Sequence, residues 1–294
     1  VIFFRILQNK EINTRINERF AFPSRKKPQG KVIWINASSI GEYLATISLI
    51  KKIRKIRPKT KILITTNTKT SSLLVQRITD KNIIHQFTPQ DNPLVVKKFL
   101  NYWKPSLVLW MESEFWPIIL DEIKKYDIKI ILLNGRMSDK SFKNWNCFKF
   151  FFEEIISNFS LILTMSKIDQ KNFKRLGAKN VNFVGNLKFC NEEQPYDKLL
   201  EKKARKLISN RSVWLAASTH QGEELFVANI HLKLKERLGL NNLLTIIVPR
   251  NIKRTAKIKK EIKLNIPLTE QFYSKSISQN TEIIIDNSIG QLEM

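Results

Sequence analysis

The segment "KVIWINASSIGEYLATISLIKKIRKIR" (residues 31–57) contains the alternation that decides the fold. After Lys31 its first residues are apolar and rich in β-branched and aromatic side chains, which is typical of a buried strand. After the polar "NASSIGE", apolar residues recur at helical spacing as far as Arg57, which predicts an amphipathic helix. The segment therefore predicts a strand followed by a helix, the repeating unit of an α/β protein.

The same alternation recurs along the chain and predicts parallel sheets with helices on both faces, because the strands are apolar throughout rather than on one side. We therefore predict an α/β fold of the doubly wound type. A second group of three strands falls short of a typical doubly wound sheet, so the second domain is expected to be incomplete. Further strands are predicted over residues 61–66, 82–87, 106–111, 129–134, 160–165, 181–185, 212–218, 243–250 and 281–286.

These patterns predict four regions along the chain. Residues 1–30 form an N-terminal, membrane-proximal segment, in which "VIFFRIL" is either the remainder of a membrane anchor or a buried first helix. Residues 31–190 form the first domain, 191–210 a polar helical connector, and 211–294 the partial second domain. No run of 18 or more apolar residues occurs, so the sequence predicts no spanning helix.

The charge is unusual for a soluble globular protein, although the 43% of hydrophobic residues is not. A formal net charge of +25 over 294 residues favours an anionic partner, such as a membrane surface or a phosphorylated substrate. The alternative explanation of this net charge is a general bias of the composition towards Lys, Ile and Asn. The basic residues do not alternate with aromatic ones as in a nucleic-acid-binding module, so no nucleic-acid partner is expected. Cys147 and Cys190 form no disulfide framework, which favours a reducing compartment.

Ligands of open α/β sheets bind beyond the carboxyl ends of the strands, so the residues that follow each strand are the candidates for a site. Glu42 follows the strand of residues 31–35 and falls in the first turn of the next helix, where the helix dipole favours an ionised carboxylate. Such a carboxylate can act as a general base on a hydroxyl group. The alternative is an ordinary acidic residue at a helix start.

The segment "WMESEFWP" (110–117) adds two carboxylates, Glu112 and Glu114, after another strand. Alternation in an extended chain would place both on the same side. Lys188, in "VGNLK", is a positive counterpart after a further strand; it is otherwise a solvated lysine. Phosphate-loop and dinucleotide-binding glycine motifs, His-Cys metal spacings and paired aspartates are missing, which fits a metal-free transfer from a donor with a single phosphate.

The loop sequences, in chain order, resemble those of the Kdo transferases, which transfer 3-deoxy-D-manno-octulosonic acid (Kdo). The resemblance covers essentially the whole chain, although each motif is short. It rests on "RINERFAF", "WINASSIGE", "TPQDNPLVVKKFLNYWKPSLVLWMESEFWP", "LLNGRMSDKS", "GNLKF", "AASTHQGEE", "IVPR" and "DNSIGQL".

This resemblance implies a GT-B fold, with two Rossmann-like domains that bind the acceptor and the donor and a cleft between them. It implies transfer of Kdo from CMP-Kdo to a lipid A precursor (lipid IVA) in lipopolysaccharide biosynthesis, at the cytoplasmic face of the inner membrane, with no cofactor or metal. By the same resemblance Glu42 is the proton acceptor, and Glu112 and Lys188 stabilise the transition state. The implied CMP contacts are Pro249, Arg250, Ile289, Gly290 and Gln291. Further contacts to donor or acceptor are expected from Ser39, Gly41, Ser218, Thr219 and His220.

Two surfaces are candidates for contact with an anionic membrane. They are the basic stretch at 51–61 and the aromatic stretch at 142–156, although the latter pattern is also that of a core helix.

The chain departs from the family pattern at three places. Residues 251–254 read Asn-Ile-Lys-Arg where the family has His-Pro-Glu-Arg, and Gln291 replaces the usual Glu. The Gly-rich segment that completes the family's CMP pocket is expected beyond Met294. The alternative function is therefore a truncated, non-catalytic remnant that folds and binds anionic lipid.

Overall fold

The computed structural model describes residues 5–6, 11–75, 80–190, 205–206, 208–266, 269–271, 278 and 280–286. The chain divides into two compact units, Val1–Glu192 and Glu193–Met294, and each is described here by itself. Most of the predicted connector and the start of the N-terminal segment lie outside the described residues.

The first unit is built on a parallel sheet of seven strands in the order β3-β2-β1-β4-β5-β6-β7. Each strand predicted for this unit is confirmed within two residues. The strands are β1 (Val32–Asn36), β2 (Lys61–Thr66), β3 (Ile83–Phe87), β4 (Leu107–Met111), β5 (Ile130–Gly135), β6 (Leu161–Thr164) and β7 (Val181–Phe183).

The order of the strands creates a crevice at the carboxyl ends of β1 and β4. The chain first adds β2 and β3 on one side of β1 and then returns to add β4 on the other side. The connections on the two sides leave in opposite directions, so they separate at this point and expose the strand ends. Glu42 follows β1 and Glu112 follows β4, which places both candidates at the crevice.

Helices connect these strands and cover both faces of the sheet, as the uniformly apolar strands predict. A short 3-10 helix, Asn13–Phe20, precedes β1. The α-helices of this unit are α1 (Ile40–Ile56), α2 (Lys69–Val75), α3 (Pro93–Trp103), α4 (Pro117–Lys125), α5 (Asp139–Cys147), α6 (Lys149–Ser157) and α7 (Lys167–Arg175).

Two hydrophobic clusters fill the space between the sheet and its helices. On one face Trp34, Leu63 and Trp110 pack with residues of α3 and α4. On the other face Ile35 and Ile64 pack with residues of α1. Successive residues of one strand belong to opposite clusters, which explains why both kinds of position are apolar.

Leu63 provides a test of this core, because its side chain is completely buried in the interior strand β2. We expect Leu63→Ala to lower the free energy of unfolding of this unit by about 2–5 kcal/mol through lost burial and a residual cavity. Leu94 is 78% exposed, so Leu94→Ala is a matched control with an expected change within about 0.5 kcal/mol. Urea unfolding followed by tryptophan fluorescence measures both. Equal effects of the two substitutions would contradict the described core.

The second unit contains a parallel sheet of four strands in the order β10-β11-β9-β8. The three predicted strands are confirmed, but the prediction that this unit has three strands was wrong. The fourth, β10, is a three-residue edge strand with the sequence Thr-Glu-Gln, too short and polar to give a hydrophobic pattern. The elements are β8 (Val213–Thr219), α8 (Glu223–Leu238), β9 (Leu244–Pro249), α9 (Thr255–Lys263), β10 (Thr269–Gln271) and β11 (Ile283–Ile285).

The aromatic stretch at 142–156 has both buried and exposed aromatic side chains. Phe152 is fully buried and its ring stacks on Trp145 with centroids 4.6 Å apart. Phe148, Phe150 and Phe151 are exposed. The stretch is therefore a core element on one side and an apolar surface on the other. Within the described residues, no helix is long and apolar enough to cross a membrane.

Candidate active site

Glu42 lies at the start of α1 in "SIGE", a variant of the capping box in which the glutamate accepts from the backbone N–H before the N-cap. Its backbone N–H donates a hydrogen bond to the N-cap Ser39 Oγ (3.2 Å), and Ser39 Oγ–H donates back to Glu42 Oε1 (2.8 Å). The backbone N–H of Ser38 donates to Glu42 Oε2 (2.8 Å). This geometry explains why a glutamate stabilises the helix start, and it fixes the carboxylate in one orientation.

The environment of Glu42 is suited to a general base. Burial raises the pKa of Glu42 to about 7, and the carboxylates of Glu114 and Glu112 add to the rise, while the hydrogen bonds from Ser39 and Ser38 oppose it. The side chain is thus about half ionised at neutral pH, whereas position at a helix start alone predicts full ionisation. A carboxylate in this range accepts a proton more readily than an exposed one.

Glu112 and Glu114 line the same pocket as Glu42, but the extended chain predicted for them was wrong. The chain turns after β4, and Glu112 has a left-handed backbone with φ of 54°. Such a conformation costs free energy for a residue other than glycine and is often found at functional sites. Trp110 Nε1–H donates to the carbonyl of Glu114 (2.6 Å), and Trp116 Nε1–H donates to Glu114 Oε2 (3.2 Å), so the two tryptophans hold the turn.

Lys188 reaches the same place from a 3-10 turn, Leu187–Cys190, after β7. Its Nζ forms an ion pair with Glu112 Oε1 at 3.3 Å. A Cβ atom added to Gly41 would lie 3.9 Å from the same Nζ, so the lysine also approaches the start of α1. The structure therefore brings Glu42, Glu112 and Lys188 together, although the sequence separates the first from the last by 146 residues.

Two asparagines that the sequence did not single out hold the lysine turn in place. Asn134, buried at the end of β5, accepts a hydrogen bond from the backbone N–H of Leu187 (2.9 Å). Its Nδ2 donates to Asn186 Oδ1 (3.1 Å), which also accepts from the backbone N–H of Lys188 (2.9 Å). The feature of the sequence that could have identified Asn134 is a polar residue directly after the apolar run "IILL".

The pocket beside Glu42 has a volume of about 370 Å³, which is within the range of small-molecule sites. Arg136, which the sequence did not single out either, contributes a positive charge to a wall that is otherwise acidic. The backbone N–H of Arg136 donates to Ser113 Oγ (3.0 Å), which connects the loops after β4 and β5. The pocket is lined by Glu42, Glu112, Ser113, Glu114, Arg136, Ser138 and Ser141.

In the second unit, the candidate donor contacts Ser218, Thr219 and His220 lie at the end of β8, and Pro249 and Arg250 lie at the end of β9. The two ends are adjacent, since the backbone N–H of Arg250 donates to the carbonyl of Thr219 (3.0 Å). Ser218 has a left-handed backbone, with φ of 62°, beside an irregularity in the pairing with β9. Three other candidates, Ile289, Gly290 and Gln291, lie outside the described residues.

The unusual segment 251–254 has a clear structural role. Arg254 forms two hydrogen bonds with the buried carboxylate of Glu224, at 3.1 and 3.2 Å, and Thr219 Oγ1–H donates to the same carboxylate (3.2 Å). Asn251 Oδ1 accepts from the backbone N–H of Lys253 and caps a short 3-10 turn. These contacts connect the segment after β9 to the end of β8 and to the start of α8.

No group of three or more His, Cys, Asp or Glu side chains suited to a metal ion occurs among the described residues. Two units with parallel sheets, helices packed against them and polar residues at the carboxyl ends of the strands define a two-domain α/β protein of the GT-B fold class. Solved structures agree: a UDP-GlcNAc 2-epimerase from Neisseria meningitidis has a TM-score of 0.59, with 12% identity, over 87% of this chain and 71% of its own. A glycosyltransferase from Rickettsia africae has a TM-score of 0.54, with 15% identity, over 89% of this chain and 69% of its own.

Sequence comparisons define the family. Residues 14–191 match the model of the 3-deoxy-D-manno-octulosonic-acid transferase (kdotransferase) family. The chain is 36% identical over 258 residues to a 3-deoxy-D-manno-octulosonic acid transferase of Rickettsia bellii, covering 88% of this chain and 61% of the relative. The chain is 31% identical over 293 residues to the Haemophilus influenzae protein of that name, and the match covers 95% of this chain and 66% of the relative. The chain therefore belongs to the Kdo transferase family of glycosyltransferases, and it spans about three fifths of the Rickettsia bellii relative's length.

Proposed function

We propose that the chain transfers Kdo from CMP-Kdo to a hydroxyl group of a lipid A precursor, lipid IVA, with Glu42 as the general base. The observation that carries the proposal is the buried carboxylate of Glu42, fixed at the start of α1, with a pKa of about 7, beside a polar pocket of sugar size. Membership of the Kdo transferase family supplies the transferred sugar.

In the proposed reaction, the acceptor hydroxyl oxygen forms a bond to the anomeric carbon of Kdo while its proton passes to Glu42. The bond between that carbon and the phosphate oxygen of CMP breaks, and its electron pair leaves with CMP. Positive charge develops on the sugar and negative charge on the phosphate. Glu112 and Lys188 are a carboxylate and an ammonium group suited to stabilise these charges, and their ion pair holds both in place.

We propose that the ends of β8 and β9 bind the donor nucleotide through Pro249 and Arg250, with Ser218, Thr219 and His220 as further contacts. The adjacency of the two strand ends and the left-handed backbone of Ser218 support this proposal. The roles of Ile289, Gly290 and Gln291 in the same contact stay predictions. No metal or cofactor is needed in this scheme, since the donor has a single phosphate.

We place the protein at the cytoplasmic face of the inner membrane, with an anionic lipid surface as its partner. The position of the N-terminal 3-10 helix supports contact with a membrane near the site. Arg19 of this helix donates a hydrogen bond to the carbonyl of Thr88, so the helix lies at the same carboxyl edge of the sheet as Glu42. Phe20 and Phe22, at the end of this helix, are exposed and offer apolar contact with lipid. The basic stretch at 51–61 is less suited to present the acceptor, because α1 separates Ile56 from Glu42 by about 21 Å.

A transfer assay with purified chain, CMP-Kdo and lipid IVA tests the proposal. We expect a product heavier than lipid IVA by one or more Kdo residues. Binding to vesicles of anionic lipid without any transfer would instead favour the non-catalytic remnant, which the charge of +25 and the exposed phenylalanines also permit. Absence of both activities would contradict both readings.

A further inference from the structure

A buried cluster attaches the N-terminal 3-10 helix to the end of β2. Arg19, which is 3% exposed, donates from Nη1 to Asn67 Oδ1 (3.0 Å) and from Nη2 to the carbonyl of Asn67 (2.8 Å). The buried carboxylate of Glu11 accepts from Arg19 Nη2 at 3.1 Å. The guanidinium also lies over the ring of Phe87, 4.6 Å from its centroid. Arg19 therefore has a single well-determined position.

Asn67 transmits this order to the loop after β1. Because a guanidinium only donates hydrogen bonds, Asn67 must present Oδ1 to Arg19 and is left with Nδ2 for its other neighbour. That neighbour is Ser38, whose Oγ accepts from Asn67 Nδ2 at 3.1 Å. The backbone N–H of Asn67 donates to the carbonyl of Ser38 at 3.0 Å. Ser38 is thus held on both its side chain and its backbone.

The chain of contacts ends on the carboxylate of Glu42. The backbone N–H of Ser38, itself buried, donates to Glu42 Oε2 at 2.8 Å. We propose that Arg19 and Asn67 are positioning residues that orient the Glu42 carboxylate through Ser38, an inference that rests on the proposed role of Glu42 as the base. The N-terminal segment therefore contributes to the geometry of the reaction and is more than an attachment.

Arg15 distinguishes this role from simple attachment of the segment. It lies one turn earlier in the same 3-10 helix, pairs with Glu18 at 2.7 Å, donates to the carbonyl of His85 at 3.2 Å, and also lies over the ring of Phe87. None of its described hydrogen bonds reaches Asn67 or Ser38. Arg15→Ala loosens the segment without touching the positioning contacts and is therefore the matched control.

The test measures the pH profile of kcat for Kdo transfer in the full chain with Asn67→Ala, Arg19→Ala and Arg15→Ala. Loss of order at Ser38 weakens a hydrogen bond that favours the ionised form of Glu42, so the apparent pKa of the rising limb should increase by up to about one unit. At pH 6.5 the rate should then fall by up to about eightfold in Asn67→Ala and Arg19→Ala. The other charged groups of the pocket, Glu112, Glu114 and Arg136, are unchanged in all variants, as is Lys188, which pairs with Glu112. Arg15→Ala should keep the wild-type limb.

Asn67→Ala keeps the pair between Arg19 and Glu11, so it decides the question even if Arg19→Ala fails to fold. A wild-type limb in Asn67→Ala, or an equal shift in Arg15→Ala, would overturn the proposal. Glu42→Gln, measured in parallel, separates the two levels of failure. Full activity of Glu42→Gln would refute the proposed role of Glu42 as the base. An inactive Glu42→Gln together with a wild-type pH profile in Asn67→Ala would refute the positioning role alone.

Discussion

Replacing Glu42 with glutamine is expected to lower kcat for Kdo transfer by about 10²–10⁴-fold, the usual contribution of a general base. Glutamine keeps the size of the side chain and can still accept hydrogen bonds in the capping box, so the start of α1 should persist. What it loses is the capacity to take the proton of the acceptor hydroxyl. Initial rates with CMP-Kdo and lipid IVA, together with thermal unfolding, separate lost chemistry from lost folding.

The control for this substitution is Glu236→Gln, at an exposed position of α8. It should leave both the rate and the unfolding temperature near wild type. A folded Glu42→Gln protein with a rate within about threefold of wild type would refute the role of the base.

Lys188→Met is expected to lower kcat by about 10²–10³-fold, comparable to the removal of one group that stabilises developing charge. The ion pair with Glu112 is partly exposed, with side chains 46% and 29% accessible, so its loss should change stability by about 1 kcal/mol or less. A large loss of rate with little loss of stability is the signature of a group that acts on the transition state. Steady-state kinetics and urea unfolding of the same preparation measure both quantities.

Lys257→Met is the matched control for Lys188→Met. Lys257 is also exposed, and its Nζ lies 3.7 Å from Glu261 Oε1, one turn away on α9. This substitution removes the same charge from a similar surface pair outside the pocket. If both variants retained similar activity, the charge of Lys188 would have no special part in the reaction.

The strands and the fold class could be predicted because most strands of the first unit contain a continuous apolar run between polar segments. That pattern is local, and it follows directly from burial on both faces of the sheet. Strand β10 escaped prediction because its sequence, Thr-Glu-Gln, has no hydrophobic pattern and its pairing with β11 depends on tertiary context.

Residues of the candidate site could be predicted only where their own position in the sequence, directly after an apolar strand, indicates a site. Glu42 and Glu112 follow apolar strands, so the rule for parallel sheets places them at the same edge. The pKa of Glu42 was not predictable, since it depends on burial and on Glu114, which are properties of the folded chain. The positioning contacts of Arg19 and Asn67 join three separate segments, and nothing in a local pattern indicates them.

The pH dependence of kcat/KM tests most directly whether the carboxylate of Glu42 accepts a proton during transfer. Glu42 acts as a base only when ionised, so the wild-type rate should fall about tenfold per pH unit below an apparent pKa of about 7 and level off above it. The same measurement on Glu42→Gln should show a low rate without this limb. A wild-type profile that is flat from about pH 5 to pH 8, or a limb that persists in Glu42→Gln, would contradict the account.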